Sequence, residues 1–219
     1  MTAPVCPLCG GGGPFRPLAD RWGRHHRLCP DCRLIATVRG ELPDPARAAA
    51  RYALHRNGPE DAGYVSFLRR AVDAARPHLG GVRRALDYGC GPGPALQVPL
   101  AELGIACDRW DPCFFPDPPP LERYPAVFAT EVVEHFRDPA RDWAAMLARV
   151  APGGLLVVMS GFWTDADAFP SWNYADDFTH VAFHHADTLR WIARRHGLTV
   201  LTSADRRVAV FRAAGRGGP

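Results

Sequence analysis

A chain of 219 residues, 47% hydrophobic and 22% charged, has room for one full α/β domain and a small appendage; this composition excludes disordered, collagen-like and coiled-coil chains. The formal charge is +3 and every basic residue is an arginine, so neither a lysine Schiff base nor a phosphate-loop lysine can operate here. The longest apolar run, Leu155–Met159, is too short to span a bilayer, and the first residues lack the pattern of a secretory signal, so the expected setting is cytoplasmic, with no membrane partner.

Residues 1–36 carry Cys6-Pro-Leu-Cys9 and Cys29-Pro-Asp-Cys32, with 19 residues between the pairs. In a reducing compartment this spacing predicts a zinc ribbon. Four thiolates fill the tetrahedron of a structural Zn²⁺, and ligation replaces the core that so short a segment cannot build. His25 and His26 are then expected at the surface or facing a partner. Residues 1–56 hold nine arginines against Asp20, Asp31, Glu41 and Asp44, a balance that leaves an anionic partner such as RNA open. The stretch 37–81 reads as a helical linker. Within it, Tyr64, Phe67, Leu68, Ala71, Val72 and Ala75 recur at helical spacing between Gly63 and His78, and Gly80-Gly81 closes the pattern.

From residue 82 short strands alternate with helices. Strands are expected at 84–88, 105–110, 126–130 and 155–160, and helices at 95–103, 139–150 and 186–196. Two further strands at 198–202 and 207–211 close the pattern. The alternation predicts a Rossmann-like, doubly wound, mostly parallel α/β sheet over 82–212, with an antiparallel pair at its end and a flexible tail at 213–219. The proline-rich 112–120 is a loop. An inserted loop at 161–182 holds Phe162, Trp163, Phe169, Trp172, Tyr174 and Phe178 without helical period. Such a loop is either a lid over a flat acceptor site or a hydrophobic subcore.

The chemistry concentrates at Leu86-Asp87-Tyr88-Gly89-Cys90-Gly91-Pro92-Gly93, where a strand passes through glycines into a helix. Glycines there let a ligand approach the backbone, and Asp111, twenty residues beyond Gly91, can hydrogen-bond ribose hydroxyls. The spacing departs from a dinucleotide fingerprint. Asp87 would serve a pyrophosphate poorly but would suit the sulfonium and ammonium of S-adenosylmethionine.

LDYGCGPGP at 86–94, WDP at 110–112, ATEVVEHFRDP at 129–139, PGGLLVVMSG at 152–161 and DFTHVAF at 177–183 together resemble a class I S-adenosylmethionine-dependent methyltransferase, near the methyltransferase-23 type. The resemblance implies cofactor contacts from Asp87, Gly89, Cys90, Gly91, Gly93, Asp111 and Pro112, with Thr130 and Glu131 on the floor of the site. It puts Glu134, His135 and His180 beside the acceptor, where a histidine can act as general base. It also implies that Tyr52, His55 and Asn57 lie in a covering segment; where the aromatic loop is a lid, Trp163, Trp172 and Tyr174 face the acceptor. Only 112–125 separates the second strand from the next, which leaves little room for the strand and helix usual there. His184 and His185 read as capping or solvent residues, and Cys90, Cys107 and Cys113 as small packing thiols.

The expected activity is methyl transfer to a small-molecule acceptor on O, N or C. Ribosomal RNA methylation through the ribbon, or a non-catalytic cofactor-binding scaffold, are the alternatives. No DNA partner is expected.

Overall fold

Helices start where the sequence supplies a cap. Asp44 accepts the Ala46 and Arg47 N–H groups and opens α1 (Pro45–Tyr52); Asp61 accepts that of Tyr64 and opens α2 (Ala62–Ala75). Val65, Leu68, Ala71, Val72 and Ala75 form the buried stripe of α2, as their spacing predicts. The computed structural model describes residues 4–54, 57–202 and 207–215.

The larger part contains β4 (Arg84–Tyr88), α3 (Gln97–Ala101), β5 (Ala106–Trp110), β6 (Tyr124–Thr130), α4 (Pro139–Leu147), β7 (Val150–Met159), α5 (Ala186–His196), β9 (Leu198–Thr202) and β10 (Val208–Ala213). Its six-stranded sheet has the order β5-β4-β6-β7-β10-β9. The first four strands are parallel, and β10 runs antiparallel to both of its neighbours. Residues of α2 and α3 pack with Phe128 and Val157 on one face, and Trp143, Met146, Leu189 and Ile192 of α4 and α5 pack with Val127 and Leu156 on the other. This is the doubly wound sheet expected. Because helices cover both faces, β6 and the end of β7 are near-continuous apolar runs.

Strand ends differ from expectation by more than one residue at three places. β6 begins two residues early, at Tyr124. β7 begins at Val150 because Gly154, lacking a Cβ, leaves room for the carbonyls of Tyr124 and Pro125, and the register shifts there. β10 runs on to Ala213, paired with Leu198, so the expected tail loses its first residue to the sheet. Residues 216–219 lie outside the described residues. Between β5 and β6 the described chain forms only an isolated bridge, Asp111 to Phe115, which leaves β5 at the sheet edge.

The N-terminal segment forms a second sheet of β1 (Arg16–Ala19), β2 (His25–Leu28) and β3 (Ile35–Thr37), and β8 (Ala182–Phe183) completes it from the far end of the aromatic loop. Ile35 pairs with Phe183 and Ala36 with Ala182. Leu28 and Ile35 bury themselves against Trp163, Phe169, Ala175 and Phe183. Most of the loop's aromatics therefore build a subcore beneath the N-terminal sheet.

Arg24 ties the two parts further: it pairs with Asp20 at 2.6 Å and donates to the carbonyls of Ala175, Asp177, Phe178 and His180. Arg16 and Arg21 meet Asp167 and Asp176, and Arg51 meets Asp177 at 2.9 Å. Much of the basic first quarter is thus engaged within the molecule.

Two histidines depart from their expected surface positions. His26 is buried between Asp20 and Thr37, because β2 turns it into the subcore against Phe169 and Phe183. His184 is fully buried and accepts the Trp143 indole N–H at 3.1 Å. His185 does cap α5, and His25 stays exposed. No helix among the described residues is long and apolar enough to cross a membrane.

Candidate active site

The turn after β4 uses its three glycines for three different reasons. Gly89 has φ +76° and lies so close to Val132 that a Cβ would clash. Gly91 has φ +64°, and no atom of the described residues lies within 4 Å of a Cβ placed there. A Cβ on Gly93 would strike the Asn57 carbonyl and Gly58, so the covering segment closes directly onto the turn. The turn is held by Gly89 N–H donating to Trp110 O at 2.7 Å and Gly91 N–H to Asp111 Oδ2 at 3.0 Å.

Asp111 also accepts the N–H groups of Cys113 and Phe114, which fixes the stub that begins at Pro112. Cys90 is half-buried within the turn; Cys107 is likewise half-buried, whereas Cys113 is exposed because the stub turns it outward. Burial raises all three thiols, which keeps them protonated and unsuited to act as nucleophiles.

Asp87, at the last turn of β4, is 3% exposed and its Oδ1 has no hydrogen-bond partner among the described residues. Burial, and then the neighbouring Asp111 charge, push its carboxyl up to about 7. A buried acid with no counter-charge among the described residues, beside a glycine turn, is a site for a cationic ligand group.

At the end of β6, Thr130 is buried and Glu131 adopts φ +56°, a conformation that costs a residue with a side chain about 1–3 kcal/mol. The bond from Glu131 N–H to Met159 O, at 2.7 Å, holds it there and points its carboxylate into the cleft. Glu134 is fully buried; it accepts Ser160 Oγ–H at 2.8 Å and the Tyr174 hydroxyl at 2.5 Å. Tyr174 also lies 3.1 Å from Glu131, whose other oxygen meets Arg207 at 3.4 Å. Burial and the Glu134 charge push Glu131 up to about 8, so near neutrality this acid holds a proton.

His135 and His180 stand beside these acids, with ring centroids 4.8 Å apart. A carbonyl can only accept, so the bonds to Thr179 O (3.0 Å) and Tyr174 O (2.6 Å) place a proton on Nδ1 of each ring. Nε2 of each is then the basic nitrogen. Burial lowers both pKa values, so both rings are neutral near pH 7 and able to accept a proton.

Tyr52 packs edge-on against His135 at 5.1 Å, and the Asn57 backbone covers Gly93, whereas His55 lies outside the described residues. Trp172 stacks on Tyr174 at 5.1 Å. Trp163 is 3% exposed and packed between His185 and Arg33; it borders a concavity of about 400 Å³ together with Phe162, Trp172 and Arg207. Sequence reasoning missed three residues. Tyr64 stands near Asp87 and Glu131, yet its helical spacing marked it only as core. Ser160 and Arg207 carried no signal beyond lying at strand ends.

The four paired cysteines converge. Cys6 and Cys32 sulfurs are 3.6 Å apart, as are those of Cys9 and Cys29, and all four lie within 4.8 Å of one another. Each pair builds the same turn. Gly10 N–H donates to Cys6 O and Arg33 N–H to Cys29 O, both at 3.0 Å, and Gly10 (φ +75°) and Arg33 (φ +62°) are left-handed. The knuckles also close alike, with Cys6 N–H to Gly11 O and Cys29 N–H to Leu34 O at 2.9 Å.

A family model described as a methyltransferase domain matches residues 52–203. Among solved structures, an N-methyltransferase from Burkholderia thailandensis, holding 1,6-didemethyltoxoflavin and S-adenosylhomocysteine, aligns with TM-score 0.57 at 17% identity over 84% of this chain and 97% of that one. An O-methyltransferase family protein from the same organism aligns with TM-score 0.52 at 17% identity over 77% of this chain, and the match spans 63% of that protein's length. Magnesium protoporphyrin IX methyltransferase from Synechocystis PCC 6803, with bound S-adenosylhomocysteine, aligns with TM-score 0.50 at 12% identity over 80% of this chain and 98% of that one. At such identities the likeness is one of fold. No match was found among curated protein sequences.

Proposed function

The chain belongs to the methyltransferase-domain family, and from that membership we propose that it moves a methyl group from S-adenosylmethionine to a small-molecule acceptor bound beside His180. The observation that carries this reading is the buried Asp87, whose Oδ1 has no partner among the described residues, beside a glycine turn where no described atom lies within 4 Å of a Cβ placed on Gly91. Such an arrangement fits a cofactor bearing positive charge and a close-lying backbone contact. Asp87 would face the cationic methionine part, Gly89, Cys90 and Gly91 would let it approach, and Asp111, with lone pairs left after its turn bonds, would take the ribose. When bound, S-adenosylmethionine supplies an electrophilic methyl group on its sulfonium.

The protein's own residues then have two tasks. Thr130, Glu131 and Tyr174 position the acceptor, and orientation alone accounts for much of the rate of a displacement. The Nε2 of His180, with Nδ1 pinned on the Tyr174 carbonyl, accepts the acceptor's proton, and His135 packs against it as the second candidate. The concavity lined by Trp163 and Trp172 suits a flat, apolar acceptor body. The small-molecule neighbours with TM-scores of 0.50 and above support that acceptor class.

The four-cysteine cluster we assign to structural Zn²⁺. Tetrahedral bonds of about 2.3 Å place sulfurs about 3.8 Å apart, close to the 3.6 Å seen in both pairs. The domain reading follows: ribbon 1–36, helical linker 37–81, catalytic portion 82–212.

Asp87 gives a direct test. An ionised carboxylate attracts the cationic cofactor and a protonated one does not. Affinity for S-adenosylmethionine should therefore rise ~10-fold between pH 6 and pH 8, around a carboxyl of about 7, and Asp87→Asn should flatten the profile. The unliganded fold should show the opposite trend. Its Asp87 binds a proton more tightly than the unfolded chain does, so this group's contribution to stability declines as pH rises from about 4 to 7 and is level above that. A flat affinity profile in the wild type would contradict the role given to Asp87.

A further inference from the structure

Glu134, His135 and His180 arrive from two distant parts of the chain, yet one ligand atom from each lies within 4.8 Å of the other two. Each imidazole gives its Nδ1–H to a backbone carbonyl, Thr179 for His135 and Tyr174 for His180. That anchoring fixes the tautomer and leaves Nε2 as the coordinating nitrogen, the outer arrangement usual for metal-bound histidines. Glu134 is oriented in the same manner by Ser160 and Tyr174, each donating to a different oxygen, so each oxygen retains a lone pair. Glu131 adds a second, half-buried carboxylate on the other side of the Tyr174 hydroxyl. Two neutral imidazoles and a carboxylate, backed by a second acid, form a donor set for a divalent transition ion with positions left open.

We propose that Glu134, His135 and His180 hold a divalent cation whose open positions take an oxygen of the methyl acceptor. This rests on the reading of the cleft as the acceptor end of a methyltransferase. Bonds of about 2.1 Å bring ligand atoms about 3–3.5 Å apart, so atoms within 4.8 Å of one another close by up to about 1.5–2 Å around the ion. The cation offsets the buried acids and lowers the pKa of a hydroxyl bound to it. The acceptor O–H then ionises with its proton passing to water. The oxygen forms its bond to the methyl carbon as the sulfur–carbon bond breaks, and that electron pair stays on sulfur. Acceptors carrying a phenol, catechol or enol oxygen are the class that such a site would select. Cation ligation and proton acceptance are alternative uses of the same Nε2 atoms, and the measurement separates them.

The test uses the full chain, loaded with one zinc at the cysteines and freed of other metals. Manganese chloride is titrated in and followed by electron paramagnetic resonance; Mn²⁺ prefers N and O ligands to the thiolates. The expected result is one site per chain, lost in His180→Ala and in Glu134→Gln. It should weaken ~10–100-fold in Ser160→Ala, which removes only a supporting bond. Circular dichroism and S-adenosylmethionine titration of the same samples report folding and cofactor binding. No bound Mn²⁺ in the wild type, or binding unchanged in all three folded variants, overturns the cation site. S-adenosylmethionine binding without Mn²⁺ leaves the methyltransferase reading standing and removes this one alone.

Discussion

His180→Ala is expected to lower methyl transfer at saturating S-adenosylmethionine by ~10²–10⁴-fold, the range a positioned proton acceptor supplies. Release of S-adenosylhomocysteine in the presence of hydroxylated small acceptors measures it. The effect should fall on turnover and not on cofactor affinity, because His180 sits among Tyr174, His135 and Asp177 and not at the glycine turn. His135→Ala should also slow turnover, since its ring lies against His180 and Tyr52. Alanine variants that both keep full turnover would remove the histidines from the chemistry.

Stripping zinc from the cysteine cluster should have the largest effect on stability. Ligation in small zinc modules is worth about 10–16 kcal/mol, as much as the whole margin of an ordinary domain. The loss would not stop at residue 36. The N-terminal sheet takes β8 as its fourth strand, and Arg24 holds four carbonyls between Ala175 and His180. Chelation is therefore expected to increase amide hydrogen exchange across 161–183 and to abolish turnover, while S-adenosylmethionine still binds at the far end of the cleft. Unchanged exchange at 175–183 after complete zinc removal would show that the ribbon does not support the acceptor side.

These two results depend on features that the sequence showed unevenly. The doubly wound sheet was legible because β6 and β7 are apolar runs bounded by turn residues, and because glycines follow β4 where a helix starts. Asp87 and Asp111 were legible from their distance to those glycines. The cysteine pairs were legible from spacing alone. The union of β3 with β8 was not, since two residues, Ala182 and Phe183, carry no strand pattern of their own. The burial of His26 and His184 was hidden for a related reason. Polar residues enter a core only when tertiary partners such as Asp20, Thr37 and Trp143 satisfy them, and no local pattern reports such partners. The resemblance put Glu131 on the floor of the site but said nothing of its conformation. Its left-handed backbone and its sharing of Tyr174 with Glu134 exist only once the loop from 161 to 182 has folded back over β6.

The most direct measurement is a calorimetric titration of the zinc-loaded chain with S-adenosylmethionine and, separately, with NADH, repeated on Asp111→Ala. The account predicts one site for S-adenosylmethionine, none for NADH, and clearly weaker binding in the variant, where ribose contact and the bonds to Gly91, Cys113 and Phe114 are lost together. Folded wild-type protein that binds NADH, or that leaves S-adenosylmethionine unbound, would contradict it.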